Sequence, residues 1–219
     1  MDLISVIIPV KDGEKYIQDA LNGIKKQNMN VEIIVVDDGK DKTSEIAKNA
    51  GCIVIKNDVP IGPIKAKNQA LKIAKGQYIL FHDCDDYLND DALPYMFNEL
   101  KNDSSAGAVM AKVQDFFSSD ISEEEKKKTI LRKEPYWGLL TAATLIKKST
   151  FDKIGLFDEK IDAGENIDLQ MKMTNCNLIL KKIDFVAANR RIHDSNFGKQ
   201  NRKKEYKSYA DILRAKLKR

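Results

Sequence analysis

Within the first eighty residues, short β-branched apolar runs alternate with stretches whose apolar residues recur at helical spacing. No other feature restricts the fold as much. Leu3 to Pro9 is followed by Gly13 and then by Tyr16, Ile17, Ala20, Leu21 and Ile24: a strand, a loop and an amphipathic helix. The cycle recurs in Val31 to Val36, the Asp37-Asp38-Gly39 turn, and a helix through Ile46, Ala47 and Ala50 that stops at Gly51. Cys52 to Ile55 gives a third strand. After Pro60, Gly62 and Pro63, a helix bearing Ala66, Ala70, Leu71 and Ala74 ends by Gly76, ahead of a fourth strand, Tyr78 to Phe81. Apolar strands between amphipathic helices predict an α/β fold with a Rossmann-like, mostly parallel central sheet and helices on both faces. A chain of 219 residues holds one such domain and is too short for two.

In open α/β sheets the ligand crevice lies beyond the carboxyl ends of the strands. Here those ends carry Pro9, Val10 and Lys11, then Asp37 and Asp38, then Asp83, Cys84, Asp85 and Asp86. Carboxylates this close repel unless something positive sits among them. A hard divalent cation, Mg²⁺ or Mn²⁺, satisfies an Asp-x-Asp at a strand end and completes its shell with water and substrate phosphates. The alternative is a capped polar turn ahead of a helix at Asp90 to Leu100.

Composition narrows the partners. With 42% hydrophobic and 32% charged residues and no apolar run near the roughly 20 residues of a membrane span, the sequence reads as a globular domain. Met1-Asp2-Leu3-Ile4 reads as the approach to a first strand and not as a signal peptide, and three unpaired-looking cysteines suit a reducing compartment, so a cytoplasmic location is expected. From Arg190 to Arg219 there are eleven Lys or Arg against three Asp or Glu. Tyr206, Tyr209, Leu213 and Leu217 step by three and four through that tail, which predicts a basic amphipathic helix. It either docks on its own domain or contacts an anionic membrane surface peripherally, on the inner face. The rest of the chain is not basic and shows no groove-reading motif, which argues against a nucleic-acid partner.

Five segments together resemble the family 2 inverting glycosyltransferases of the GT-A fold. They are Ser5-Val6-Ile7-Ile8-Pro9-Val10; Val35-Val36-Asp37-Asp38-Gly39 with Asp41 and Thr43; Ala66-Lys67-Asn68; Gly76-Gln77-Tyr78-Ile79; and His82-Asp83-Cys84-Asp85-Asp86. The resemblance implies a nucleotide-sugar donor, UDP-linked by preference, a saccharide or lipid-linked acceptor, and Mn²⁺ or Mg²⁺ as cofactor. It also implies roles. Pro9 and Val10 would line the base and ribose pocket, Asp38 would meet the uracil edge, and Lys67, where the family usually has Arg, would lie near the phosphates. Asp83 would contact ribose or sugar, and Asp85 would bind the metal. A nucleotidyltransferase of related fold is disfavoured, because Pro9-Val10-Lys11-Asp12-Gly13 supplies no Gly-rich loop with Arg.

The chain thus divides into a nucleotide-sugar and metal-binding half, 1–110, an acceptor-binding half, 111–190, and the basic tail, 191–219. In the second half, Ser122 with Glu123 to Glu125 and Lys126 to Lys128 predicts a short capped helix with two i,i+4 ion pairs, either a solvated face or a lid. Leu139 to Ile146 is expected as a strand and Glu165 to Thr174 as a helix. Gly164-Glu165-Asn166-Ile167-Asp168-Leu169 resembles the family's Gly-Glu-Asp-x-Asp-Leu, whose general base falls at Asn166, and an amide accepts no proton at neutral pH. Glu165 or Asp168, three apart on one helical face, serves instead; or transfer runs slowly without a base; or the chain is a nucleotide-binding pseudoenzyme. Both carboxylates also suit a helix N-terminus as such. Arg190-Arg191-Ile192-His193 resembles the family's closing segment, which makes His193 a candidate for the diphosphate or metal against a lone surface histidine. Trp137 is either an acceptor or sugar platform or, by default, core.

Overall fold

The computed structural model describes residues 2–138, 141–161 and 163–196. The first half builds β1 (Ile4–Val10), α1 (Ile17–Lys25), β2 (Val31–Asp37), α2 (Thr43–Asn49), β3 (Ile53–Lys56), α3 (Pro63–Ile73) and β4 (Tyr78–Phe81). It continues with β5 (Tyr87–Leu88), α4 (Ala92–Lys101), β6 (Ala106–Phe117), α5 (Glu123–Lys128), β7 (Thr144–Lys147), α6 (Lys148–Ile154), α7 (Glu165–Asn175) and β8 (Ile179–Ile192). One eight-stranded sheet runs β3-β2-β1-β4-β7-β6-β8-β5.

Alternation along β1 explains the layering. Val6, Ile8 and Val10 join Ile17, Leu21 and Ile24 of α1 in one core, whereas Ile7 joins Ile64, Ala70 and Leu71 of α3 on the opposite face. Each of these side chains is buried, and truncating one of the leucines or isoleucines to alanine costs about 2–5 kcal/mol. Burial on both faces is what a parallel sheet between helical layers requires.

β1 pairs in parallel with β2 on one side and with β4 on the other. The chain therefore reverses its direction of travel across the sheet at β1. Loops leaving β1 and β4 open a crevice at such a reversal. The second half is more mixed than a mostly parallel pattern suggests: β7 runs antiparallel to both β4 and β6, and β5 antiparallel to β8, while β6 and β8 pair in parallel.

Several local expectations change. The strand expected from Leu139 begins at Thr144, after a 3-10 turn at Thr141–Ala143; Leu139 and Leu140 lie outside the described residues. Helix α5 is capped as expected, Ser122 accepting from the Glu125 N–H at 3.2 Å. Its ion pairs, however, are one i,i+3, Lys126 with Glu123, and one i,i+4, Lys128 with Glu124. The acidic run at 83–86 does not cap α4: β5 intervenes, and the residue at that cap, Asp91, is left-handed with φ 59° and makes no side-chain cap bond. The amphipathic pattern through Tyr206 and Leu217 lies outside the described residues. No helix among the described residues is long and apolar enough to cross a membrane.

Candidate functional site

The loops at the carboxyl ends of β1, β2 and β4 press on one another. A Cβ on Gly13 would lie 2.4 Å from Val10 Cγ2 and 3.0 Å from Cys84 Sγ, and one on Gly39 would lie 2.3 Å from the Asp12 backbone nitrogen. Only glycine permits these approaches. Cross-loop bonds then fix the loops after β1 and β2: Lys40 N donates to Asp12 Oδ1 at 2.8 Å, Glu14 N to Asp41 Oδ2 at 2.8 Å, and Lys42 N to Glu14 Oε2 at 3.0 Å.

Asp38 follows β2 and is buried. Its backbone N–H donates to the Val10 carbonyl at 2.8 Å, joining two of the sequence-derived positions. Its carboxylate accepts from Asn57 Nδ2 at 2.9 Å, Ile61 N at 2.9 Å and Gly62 N at 2.7 Å. The side chain expected at a nucleobase thus anchors the loop between β3 and α3. Pro9, partly exposed, and Val10, buried, close β1 beside it. Asp37 faces the other way, bound to Lys56 at 2.8 Å and Ser44 at 2.6 Å.

Past β4 the carboxylates gather. Asp83 is pushed up to about 6 by burial and by the charges of Asp85 and Glu165, with Lys67 and Arg190 pulling the other way. Asp86 is pushed well above the usual carboxylate range by burial and by Asp85 and Asp83, although the Arg191 N–H bonds its Oδ1 at 2.8 Å. Like charges share a partly buried rim, and this makes the site electrostatically hungry for a cation.

Helix α7 closes the far side. Gly164 at its N-cap has φ 87°, a left-handed conformation that glycine adopts without strain, and it delivers Glu165 into the site. Lys67 Nζ meets Glu165 Oε1 at 2.6 Å, with the Lys67 side chain buried and its ammonium 5.6 Å from the centre of the Phe81 ring. Burial alone would raise the Glu165 pKa, but the Lys67 charge and hydrogen bond outweigh it and hold the group below its ordinary value. Asn68, next to Lys67, braces the same junction: it donates to the Phe157 carbonyl and accepts from the Phe157 N–H, each at 3.0 Å.

Glu165 and Asp168 do not share the site as helical spacing suggested. Asp168 binds Lys172 at 2.8 Å and accepts from Asp158 N at 3.4 Å, which turns it toward the approach to α7. Asn166 lies in the same first turn as Glu165. His193 is not a lone surface residue: it is buried, its ring centre stands 4.9 Å from that of Tyr16, and its Nε2 lies 2.9 Å from Asp85 Oδ2. Trp137 is not core. It is 42% exposed, donates to the Ile183 carbonyl at 2.9 Å and carries Lys112 4.4 Å from its ring centre, and no carboxylate of the rim is among these contacts.

Residues without an assigned role in the sequence also line the rim. Arg191 donates to the Asp85 carbonyl at 2.9 Å and packs between Tyr16 and Phe116. Asn196 donates to Asp85 Oδ2 at 3.2 Å. The Arg-Arg-x-His segment pointed to the region, but side-chain reach across 100 residues has no sequence signal.

Residues 5–156 match the model described as glycosyl transferase family 2. The chain belongs to that family. It is 26% identical over 209 residues to glycosyltransferase GlyG of Streptococcus pneumoniae, spanning 86% of this chain and 69% of that one. Among solved structures, S. aureus TarS in complex with UDP-GlcNAc aligns with TM-score 0.67 at 23% identity, over 90% of this chain and 60% of that one. The mannosyltransferase PcManGT of Pyrobaculum calidifontis, in complex with GDP-Man and Mn²⁺, aligns with TM-score 0.72 at 15% identity, over 96% and 64%. The chain thus spans less than two thirds of either solved chain. At these identities the likeness is one of fold, and the fold is GT-A. This glycosyltransferase places its carboxylate rim at the crevice that the β1 reversal opens.

Proposed function

We propose that this glycosyltransferase transfers a sugar from a UDP-linked donor to a saccharide or lipid-linked acceptor, with inversion and with Mn²⁺ or Mg²⁺ held at Asp85 beside His193. The observation that carries the reading is the convergence of Lys67, Asp83, Asp85 and Glu165, from α3, the loop after β4 and α7, on one partly dry rim. Loop 57–62, tied to Asp38, frames the base with Pro9 and Val10. Lys67 and Arg190 face the diphosphate, and Asp83 takes a hydroxyl of ribose or sugar.

A carboxylate oxygen such as that of Asp85 suits a hard cation. Among the described residues no group of three or more His, Cys, Asp or Glu side chains is arranged to hold a metal. The Asp85 carboxylate, completed by donor phosphates and water, is therefore the fitting set. When bound, the cation neutralises charge on the departing diphosphate.

Glu165 is the carboxylate placed to take the acceptor hydroxyl's proton in place of the base that Asn166 lacks. While bound to Lys67 it is a weak base, because the ammonium stabilises its charged form. A diphosphate that draws Lys67 to itself restores the basicity of Glu165. Donor thus binds before acceptor. The exposed Trp137 is the acceptor-side platform, within the acceptor half, 111–190. The basic tail meets an anionic membrane surface from the cytoplasmic side.

The second reading, a nucleotide-binding pseudoenzyme, is favoured by one observation: Asn166 stands at the base position while both nearby carboxylates are already ion-paired. Incubation with UDP-GlcNAc or UDP-glucose, Mn²⁺, and saccharide or undecaprenyl-diphosphate-linked acceptors separates the two. Transfer with an inverted anomeric centre by NMR supports the enzyme, and UDP-sugar binding without UDP release supports the pseudoenzyme.

A further inference from the structure

Asn196 uses every polar atom of its amide. Its Oδ1 accepts from the His193 N–H at 2.7 Å, and its Nδ2 donates to the Arg191 carbonyl at 3.1 Å and to Asp85 Oδ2 at 3.2 Å. The orientation is unambiguous, because a backbone N–H must face the amide oxygen and a backbone carbonyl must face the NH₂. The side chain is 7% exposed, so these bonds form away from bulk water.

The same turn fixes His193. The Ser195 backbone N–H, which can only donate, points at Nδ1 from 3.3 Å, and Ser195 Oγ lies 2.9 Å from that nitrogen. In the neutral ring the proton then sits on Nε2 and is donated to Asp85 Oδ2 at 2.9 Å. Two donors from one turn therefore hold one oxygen of Asp85.

We propose that Asn196 is a positioning residue for the donor metal site, which it serves by clamping Asp85 Oδ2 jointly with His193 so that Oδ1 is the oxygen turned to the cation. The inference rests on the assignment of Asp85 to the metal. Groups that orient a ligand in this way typically control about 10–100-fold in metal affinity.

Mn²⁺ is titrated into the full chain with saturating UDP, by calorimetry and by loss of the free-Mn²⁺ electron paramagnetic resonance signal, for wild type, Asn196→Ala and Asn196→Asp. Thermal melting confirms folding. Aspartate keeps the acceptor for the His193 N–H but cannot donate to Asp85. The clamp predicts Mn²⁺ affinity about 10–100-fold weaker in both variants, with Asp no better than Ala, and UDP affinity in EDTA unchanged. Asp at or near wild-type affinity overturns the inference and leaves only a turn cap. Wild type that binds UDP identically in Mn²⁺ and EDTA overturns the metal assignment itself, and the inference with it. Wild type also serves alone: the chain has two histidines, and ¹⁵N NMR is expected to show His193 as the Nε2–H tautomer, with the Nδ1–H tautomer contradicting the clamp.

Discussion

Lys67 and Glu165 are 98 residues apart in sequence and 2.6 Å apart in space, and their ion pair joins α3 to the first turn of α7. Removing one partner strands the other in a site with little water. Lys67→Met is expected to destabilise the fold by about 3–5 kcal/mol, and Lys67→Met with Glu165→Gln by clearly less than the sum of the single changes. Urea unfolding of the four proteins measures the coupling, and additive effects would contradict it.

The same pair makes a kinetic prediction. If Glu165 is the base and Asn166 a lost one, Asn166→Asp raises turnover, while Glu165→Gln lowers it by about 10²–10⁴-fold. Steady-state rates with a UDP-sugar donor check both. A Glu165→Gln variant as fast as wild type would remove Glu165 from the role.

Asp83 predicts a pH dependence of stability. Its folded-state pKa is about 6 against an ordinary 3.8, raised by burial and by Asp85. A raised pKa contributes stability fully present below 3.8 and lost as pH rises through about 6, so at pH 7 the charged group is a liability. Asp83→Asn is therefore expected to stabilise the metal-free protein at pH 7 by up to about 3 kcal/mol, with the gain vanishing toward pH 4. Melting temperatures across that range test the sign.

His82 acts in the opposite sense. It is fully buried, and burial lowers its pKa to about 4. Stability is present above the ordinary value of 6.5 and lost as pH falls through about 4. His82→Gln is expected to flatten the acid limb of the stability curve below pH 6, as read by chemical denaturation.

The first half of the fold was legible because each strand there is apolar on both faces and each turn carries its own glycine or carboxylate. Val6, Ile7 and Ile8 alone show the two-faced burial that makes a parallel sheet. The antiparallel placement of β7 was not legible, since four residues with no hairpin turn before them carry no directional signal. At the candidate site, Asp83, Asp85, Lys67 and Glu165 were named from spacing and likeness, and the structure brings them onto one rim. The separation of Asp168 from Glu165 was not, because it depends on Lys172 and the Asp158 N–H competing for one carboxylate. Nor was the role proposed for Asn196, whose one distant partner, Asp85, becomes a neighbour only when β8 passes the loop after β4.

The most direct measurement is calorimetric titration of UDP into the wild-type chain and Asp85→Ala, in Mn²⁺ and then in EDTA, with GDP as the competing base. Wild type is expected to bind UDP selectively and in a Mn²⁺-dependent way, and a folded Asp85→Ala protein to lose the Mn²⁺ dependence. Tight UDP binding by Asp85→Ala that still strengthens with Mn²⁺, or no nucleotide binding by wild type under any condition, would contradict this expectation.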